Sequence, residues 1–208
     1  MIINTYFTLL VGVLAEILVA LGLIYFIHTS GHTPLDRNGK FSKKNAVLLV
    51  VLFSIAGLVT SRFFTFSWDD ARININDGVA LLAGMFGGPI SGLGSGIVIG
   101  IDRFAIGGPG SLACSISPIA AGIIGSIVWY FSAKQFPKTI VAILALVLVE
   151  IVHLVLLLSL GAGTDDIFKT LRDVSFVQLD FNLLSMIVFA FVYNYYIRVL
   201  PIDNPDWD

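Results

Sequence analysis

Residues 69–117 read DDARININDGVALLAGMFGGPISGLGSGIVIGIDRFAIGGPGSLACSIS, and this stretch decides the fold. Glycines recur in it at every fourth position, which places them on one face of a helix. They are Gly84, Gly88, Gly92, Gly96 and Gly100. Polar and charged residues stand at both ends of the stretch and almost none stands inside it. We therefore expect a closely packed helical element whose chemistry is confined to its ends.

The centre of this glycine ladder is interrupted by Gly87-Gly88-Pro89. Proline clashes with the preceding helical turn and disfavours helix at the residue before it. Two interpretations follow. One is a single kinked helix over residues 78–100, and the other is a re-entrant pair, residues 77–86 and 89–104, that turns at the glycine-proline tip.

Composition places the chain in a membrane. Of its 208 residues 57% are hydrophobic and only 12% are charged, and the mean hydropathy is +0.93. Soluble domains carry about 25% charged residues. A net charge of -2 and the absence of a basic run argue against a nucleic-acid partner. The single cysteine, Cys114, excludes an intrachain disulfide.

Apolar runs near the ~20 residues that a spanning helix needs surround the glycine stretch. They cover about 6–27, 46–64, 111–131, 139–160 and 176–196. The first lacks a positive leader and a cleavage site, so we interpret it as a helix and not as a signal peptide. Residues 165–173 resemble a short surface helix. We expect one all-α integral membrane domain over 1–208, with five transmembrane helices, a broken or re-entrant glycine hairpin and no soluble domain.

Charge balance favours the re-entrant interpretation. If the first linker is inside, seven cations lie inside and five outside, which the positive-inside rule prefers. The inner set is Arg37, Lys40, Lys43, Lys44, Lys134, Lys138 and Arg198, and the outer set is Arg62, Arg72, Arg103, Lys169 and Arg172. A single kinked helix reverses this balance. The chain is therefore expected in the cell membrane with its N-terminus outside and its C-terminus in the cytoplasm.

A re-entrant hairpin brings both of its ends to one membrane face. Arg72 and Asn76 enter it, Arg103 leaves it, and Cys114 and Ser117 follow in the first turns of the next helix. A guanidinium matches a carboxylate or phosphate bidentately, and helix N-termini favour anions. Cys114 and Ser117 share a helix face because they are three residues apart. These five residues form a candidate anion-binding site.

A plainer interpretation remains open beside this one. Arginines at membrane edges commonly extend to lipid headgroups. Nearby carboxylates are also close enough in sequence to neutralise Arg72 and Arg103: Asp69, Asp70, Asp77 and Asp102. Small residues at spacing four let membrane helices pack closely, so the glycine ladder is expected to serve mainly packing.

Further ionisable residues lie at membrane depth. Glu150 and His153 share one helix face, and such residues are costly there and commonly functional. They are expected either to carry a proton or to close a hydrogen-bond network, while Asn182 is expected to be a packing donor. No metal cluster, cofactor motif or enzyme signature is present in the sequence. Cys114 has no histidine near it in sequence, which favours a small packed residue over a nucleophile.

The central motifs resemble the five-transmembrane receptor region of LytS-type sensor histidine kinases. They are Ala71-Arg72-Ile73-Asn74, Gly87-Gly88-Pro89, Arg103-Phe104 and Ala113-Cys114-Ser115-Ile116-Ser117. The likeness covers about 46–198, and Glu150 and Asn182 also match. It implies sensing of an external small molecule or a membrane state. Some members resemble receptors for small carboxylates such as pyruvate, and others are linked to control of autolysis. By motif position, Arg103, Cys114 and Ser117 would contact the ligand.

Two departures from that family matter. Asn76 stands where the family has a second arginine, so the ligand is expected to be less anionic or Arg72 to substitute. The family continues into a kinase, and this sequence stops at Asp208. We therefore expect a stand-alone, non-enzymatic receptor embedded in membrane lipids. It would signal through a separate cytoplasmic histidine kinase or other output protein, and a homodimer is compatible with the sequence.

Two other classes of function stay open. Broken helices are typical of small-solute transporters, in which Glu150 and His153 would couple protons. The sequence shows no internal repeat, which argues against that class. A structural packing subunit of a larger membrane complex is the third class.

Overall fold

The computed structural model describes residues 42–63, 66–68, 71–73, 76–108, 110–160 and 182–194, with positions 14, 18, 21, 22, 25 and 179. Its elements are α1 (Lys43–Phe63), β1 (Phe66–Trp68), β2 (Ala71–Ile73), α2 (Asn76–Ile106), α3 (Ser111–Phe131), α4 (Thr139–Leu160) and α5 (Asn182–Asn194). The surface helix predicted over 165–173 lies outside the described residues. So does the span predicted over 6–27, apart from five positions.

Helices α1 to α4 are long and apolar enough to cross a membrane, and α5 is a shorter apolar helix. The predicted helical, multi-pass membrane fold is thus confirmed, with α3 and α4 at the bounds that their apolar runs predict. A small addition is the antiparallel ribbon of β1 and β2, in which Phe66 pairs with Ile73 and Trp68 with Ala71. Three-residue strands carry too little periodicity to be predicted from the sequence.

Helix α2 is a hairpin and not one straight span. Gly88 has φ 64° and ψ -157°, a conformation open to glycine, and it separates an entering arm, residues 76–87, from a returning arm, residues 89–106. A Cβ placed on Gly92 would lie 2.8 Å from the Cα of Gly84. Residues eight apart in a straight helix are separated by about 12 Å. The arms therefore fold back on each other, as the re-entrant interpretation predicts.

Both arms lie against α3. A Cβ on Gly84 would lie 2.5 Å from the Gly122 carbonyl oxygen, and a Cβ on Gly92 would overlap that same oxygen. At the turn, a Cβ on Gly88 would lie 2.8 Å from the Trp129 ring. The entering arm therefore runs parallel to α3 and the returning arm antiparallel to it. Backbone fills the space that side chains would need, so the ladder serves packing.

The turn of the hairpin, which we call the tip, lies at the C-terminal end of α3. Beside it the Phe86 ring stacks on Phe136 with centroids 4.7 Å apart and meets Tyr193 edge-on at 4.8 Å. On α5, Asn194 donates a hydrogen bond to Thr139 at 3.2 Å, which closes the same end of the bundle. The opposite end, which we call the mouth, holds both open ends of the hairpin and the start of α3.

Candidate functional site

The mouth begins where α1 ends. Thr60 donates a hydrogen bond from Oγ1 to Asn76 Oδ1 at 2.9 Å, and Asn76 Nδ2 donates to Ser61 Oγ at 2.6 Å. One residue further on, the Arg62 guanidinium forms an ion pair with Asp102 on the returning arm. The last turn of α1 is therefore bonded to both arms of the hairpin.

A buried carboxylate at the start of the entering arm joins three helices. Asp77 Oδ2 lies 2.7 Å from His153 Nδ1 on α4, and Ser117 on α3 donates a hydrogen bond to the same oxygen at 2.8 Å. The Asp77 and His153 side chains are only 3% and 6% exposed. The Cys114 side chain, one turn before Ser117, lies within electrostatic range of the same imidazole. Ser117, a predicted site residue, thus meets His153 through Asp77.

A second buried pair lies one turn earlier on α4. Asn182 on α5 donates a hydrogen bond from Nδ2 to Glu150 Oε1 at 2.5 Å, and both residues are buried. Glu150 and His153, which were expected to act together, have separate partners on different helices. These are two adjacent links, which hold α4 to the hairpin and to α5.

Arg103 is buried without an acidic partner among the described residues. It is 3% exposed, and Nη1 donates a hydrogen bond to the Gly107 carbonyl oxygen at 2.7 Å. Its buried Nε has no hydrogen-bond partner in the described part of the chain. A buried cation is costly unless it is paired. Among the described residues, no carboxylate forms an ion pair with this guanidinium.

Two of the expected neutralising carboxylates are engaged elsewhere. Asp77 pairs with His153, and Asp102 pairs with Arg62, so neither acid forms an ion pair with Arg103. Both pairings join residues at least 40 positions apart, which adjacency in the sequence cannot reveal. Asp69 and Asp70 lie outside the described residues.

The predicted site residues divide into groups. Arg103, Cys114 and Ser117 all lie at the mouth, and Arg103 is within electrostatic range of the thiol. Asn76 is 1% exposed and hydrogen-bonded to α1, so its amide links α1 to the hairpin. Arg72 lies on β2 opposite Ser67, and its side chain is outside the described residues.

Sequence reasoning gave Asp77 too small a role. It treated Asp77 only as a neutraliser of arginine, although the acid lies in the first turn of a helix and close to His153 in the fold. The signal in the sequence that could have revealed this pair was an acid and a histidine that both lie at membrane depth, where ionisable residues tend to pair. Within the described ranges, no cluster of three or more His, Cys, Asp or Glu residues is arranged to hold a metal ion.

Comparison with known proteins places this arrangement in a family. The family described as "5TMR of 5TMR-LYT" matches residues 29–194. Sensor protein LytS of Bacillus cereus is 36% identical over 113 residues, 51% of this chain and 19% of the relative. Sensor protein LytS of Bacillus subtilis is 24% identical over 198 residues, which cover 88% of this chain and 33% of the relative.

A third relative is the sensor histidine kinase BtsS of Escherichia coli strain K12. It is 25% identical over 148 residues, which cover 68% of this chain and 26% of the relative. The chain spans no more than about a third of the length of these three relatives. No solved structure matches the chain.

Proposed function

The chain belongs to the 5TMR-LYT family of five-transmembrane receptor regions, and from this premise we propose that it binds a small, carboxylate-like anion at the mouth. The resemblance to LytS-type receptor regions is confirmed by the family match and by the relatives. Those relatives are named as sensors, which supports a role in sensing. The proposal is one of binding and signalling, with no catalytic turnover and no cofactor.

Arg103 is the observation that carries the proposal. Its guanidinium is buried, one edge is bonded to Gly107, and Nε is left for another acceptor. A carboxylate accepts hydrogen bonds from two guanidinium nitrogens at once and also supplies the missing negative charge. Because the N-terminus of α3 lies at the same end, its first backbone N–H groups add to the favourable potential.

We place the mouth on the outer face of the membrane. Lysines of the described residues gather at the tip end of the bundle: Lys43 and Lys44 start α1, and Lys134 and Lys138 lie between α3 and α4. The positive-inside rule assigns such an end to the cytoplasm. This assignment gives the N-terminus an outer and the C-terminus a cytoplasmic position.

We propose that binding changes how the hairpin packs against α3. Arg103 lies in the last turn of the returning arm, and the turn that follows uses the left-handed glycines Gly107, Gly108 and Gly110 before α3 begins. An anion held between Arg103 and the start of α3 would fix the angle between these two elements. Since the relatives are sensor proteins and sensor histidine kinases, the expected reader of this change is a cytoplasmic histidine kinase or another output protein.

Thermal unfolding in detergent tests the anion site. Acetate, lactate and pyruvate, each added over a millimolar range, are expected to raise the unfolding temperature of the wild type. A ligand at 100 times its Kd adds about 2.7 kcal/mol to stability. Arg103→Gln is expected to lose this stabilisation. Arg62→Gln is the matched control, because it removes an exposed, paired arginine at the same end and should keep the response. Stabilisation that survives Arg103→Gln would place the site elsewhere.

A small-solute carrier is the second candidate. It is favoured by the broken helix α2 together with the buried Asp77–His153 and Glu150–Asn182 pairs. Uptake of radiolabelled carboxylate into proteoliposomes separates the two functions. A receptor shows saturable binding without accumulation, whereas a carrier accumulates the solute inside the vesicles.

A further inference from the structure

An apolar groove lies on the outer surface of the bundle at the tip end. One wall is the start of the returning arm, with Pro89 and Leu93, and the other is the C-terminal part of α3. The α3 side chains that line it are Ile123, Ile127, Tyr130 and Phe131. Its volume is about 300 Å³, which is at the lower end of the range for ligand pockets. The Ser126 hydroxyl on this wall bonds to the Gly122 carbonyl oxygen of its own helix, so the lining is essentially apolar.

The groove runs inward from the end of α3. Phe131 and Ile123 are eight residues apart, which corresponds to about 12 Å along a helix. The hydrocarbon core of a bilayer is about 30 Å thick, so one leaflet supplies about half of that. At the outer end, the exposed rings of Tyr130 and Phe131 meet edge-on with centroids 5.7 Å apart. Since aromatic side chains are enriched at the level of the lipid headgroups, the groove has the depth of one acyl chain.

The end of the bundle beyond the groove is positively charged. Four lysines are exposed there: Lys43, Lys44, Lys134 and Lys138. The acids among the described residues are all paired towards the opposite end: Asp77, Asp102 and Glu150. Helices α1 and α4 also begin at the tip end, and the first backbone N–H groups of a helix favour an anion. Within the described part of the chain, the headgroup level at this end therefore presents only positive charge.

Lys134 is the lysine nearest to the groove along the chain. It follows Phe131 by three residues, and its backbone N–H donates a hydrogen bond to the Trp129 carbonyl oxygen at 2.9 Å. Ala133 and Lys134 both have left-handed backbone, with φ 55° and 63°, which is uncommon for residues other than glycine. This turn fixes the backbone of Lys134 at the end of α3, where the groove opens to the headgroup level.

We propose that the groove binds one anionic glycerophospholipid, with an acyl chain between the returning arm and α3 and the phosphate beside Lys134. The apolar walls accept a lipid tail, and the lysines select the charge of the headgroup, as basic pockets between membrane helices do. The chain would lie against Pro89, next to the turn at Gly88. A bound lipid would therefore join the hairpin to α3 from the tip and make their packing depend on the anionic lipid content of the membrane.

Native mass spectrometry of the full chain in detergent counts bound lipids and subunits and tests the headgroup preference. Dioleoyl phosphatidylglycerol and dioleoyl phosphatidylcholine share their acyl chains and differ in headgroup charge. We expect the wild type to bind one phosphatidylglycerol at least about fivefold more tightly, which corresponds to about 1 kcal/mol for one lysine near an anionic headgroup. Lys134→Gln is expected to remove this preference. Lys43→Gln is the control, because Lys43 starts α1 and should leave the preference unchanged.

Filling the groove tests the acyl-chain part of the site. Ile127→Trp is expected to weaken the binding of phosphatidylglycerol at least about tenfold. Ile151→Trp on α4 is the matched control, since both isoleucines are about half exposed and Ile151 does not line the groove. If Ile127→Trp does not fold, Leu93→Trp fills the groove from its other wall. Glycerol phosphate, which has the charged headgroup without the chains, is expected to bind far more weakly than the lipid.

The remaining outcomes would overturn the proposal. Equal affinity for the two lipids, or equal losses in Ile127→Trp and Ile151→Trp, would mean that lipid only surrounds the protein. Glycerol phosphate that binds as tightly as the lipid would indicate a phosphate site that does not use the groove. A dimer that is present in the wild type and lost in Ile127→Trp would make the groove an interface between two copies. None of these results depends on Arg103, so the anion site at the mouth is tested separately.

Discussion

The tip and the mouth of the glycine hairpin differ in what fills the space between helices. At the tip, Gly88 rests against Trp129 and the Phe86 ring packs among other aromatic rings. At the mouth, carboxylate, imidazole, hydroxyl and guanidinium groups meet in buried positions. The close backbone packing of the ladder allows this difference. Because the arms lie directly against α3, short side chains such as Asp77 and Ser117 reach each other across helices.

The largest effect is expected at the mouth from Asp77→Ala. Removing one partner of a buried ion pair costs about 3–5 kcal/mol, because the other group is left without compensation. Asp77→Asn should cost less, since its amide can still accept the hydrogen bond from Ser117. Unfolding in detergent, followed by tryptophan fluorescence, measures both. If Asp77→Ala costs less unfolding free energy than Gly122→Ala does, His153 and Ser117 find other partners in the variant.

Gly122→Ala tests the packing that joins the tip to the mouth. The added carbon would overlap the Gly92 carbonyl oxygen and lie 2.6 Å from the carbonyl carbon. Backbone atoms cannot move aside as a side chain can, so a loss of about 1–3 kcal/mol in unfolding free energy is expected. Gly22→Ala is the control, because a Cβ there meets nothing within 4 Å. Equal stability of the two variants would contradict the close-packed hairpin.

Asn182→Ala removes the second buried link at the mouth. The Glu150 carboxyl group would lose its bond from the amide, and interhelical hydrogen bonds of this kind contribute about 1 kcal/mol in membranes. A double-mutant cycle with Glu150→Ala measures the coupling between the two side chains. A coupling of zero would show that α5 is held to α4 by apolar contacts alone.

The smallest effect is expected from the exposed ion pair at the rim of the mouth. The Arg62 side chain is 57% exposed, so solvent screens its attraction to Asp102. Arg62→Gln should change the unfolding free energy by less than about 1 kcal/mol. A loss of unfolding free energy as large as that of Asp77→Ala would mean that the exposed ion pair stabilises the fold as much as the buried network does.

The sequence predicted the parts of the fold that follow from local pattern. Glycine spacing predicted the packed face, and Gly87-Gly88-Pro89 predicted the turn, since both are properties of neighbouring residues. The bounds of α3 and α4 followed from apolar runs between turn signals. Arg103, Cys114 and Ser117 were placed at one end because the hairpin brings its two ends together.

The pairing of polar groups could not be predicted. Asp77 and His153 are 76 positions apart, and nothing in either segment indicates which of several nearby acids the histidine meets. Cys114 lacks a histidine in its own segment, yet α4 brings one to it. Arg103 lacks an acidic partner among the described residues because Asp77 pairs with His153 and Asp102 pairs with Arg62. Nothing in the sequence indicates these two pairings.

Labelling of Cys114 from the two sides of the membrane tests the central claim, an anion site at an outward-facing mouth, most directly. Cys114 is the only cysteine, so an impermeant, negatively charged thiosulfonate reports on one position. The account predicts labelling in right-side-out vesicles, slowed by small carboxylates and by Arg103→Gln. Labelling only in inside-out vesicles, or at a rate that neither carboxylates nor Arg103→Gln alter, would contradict it.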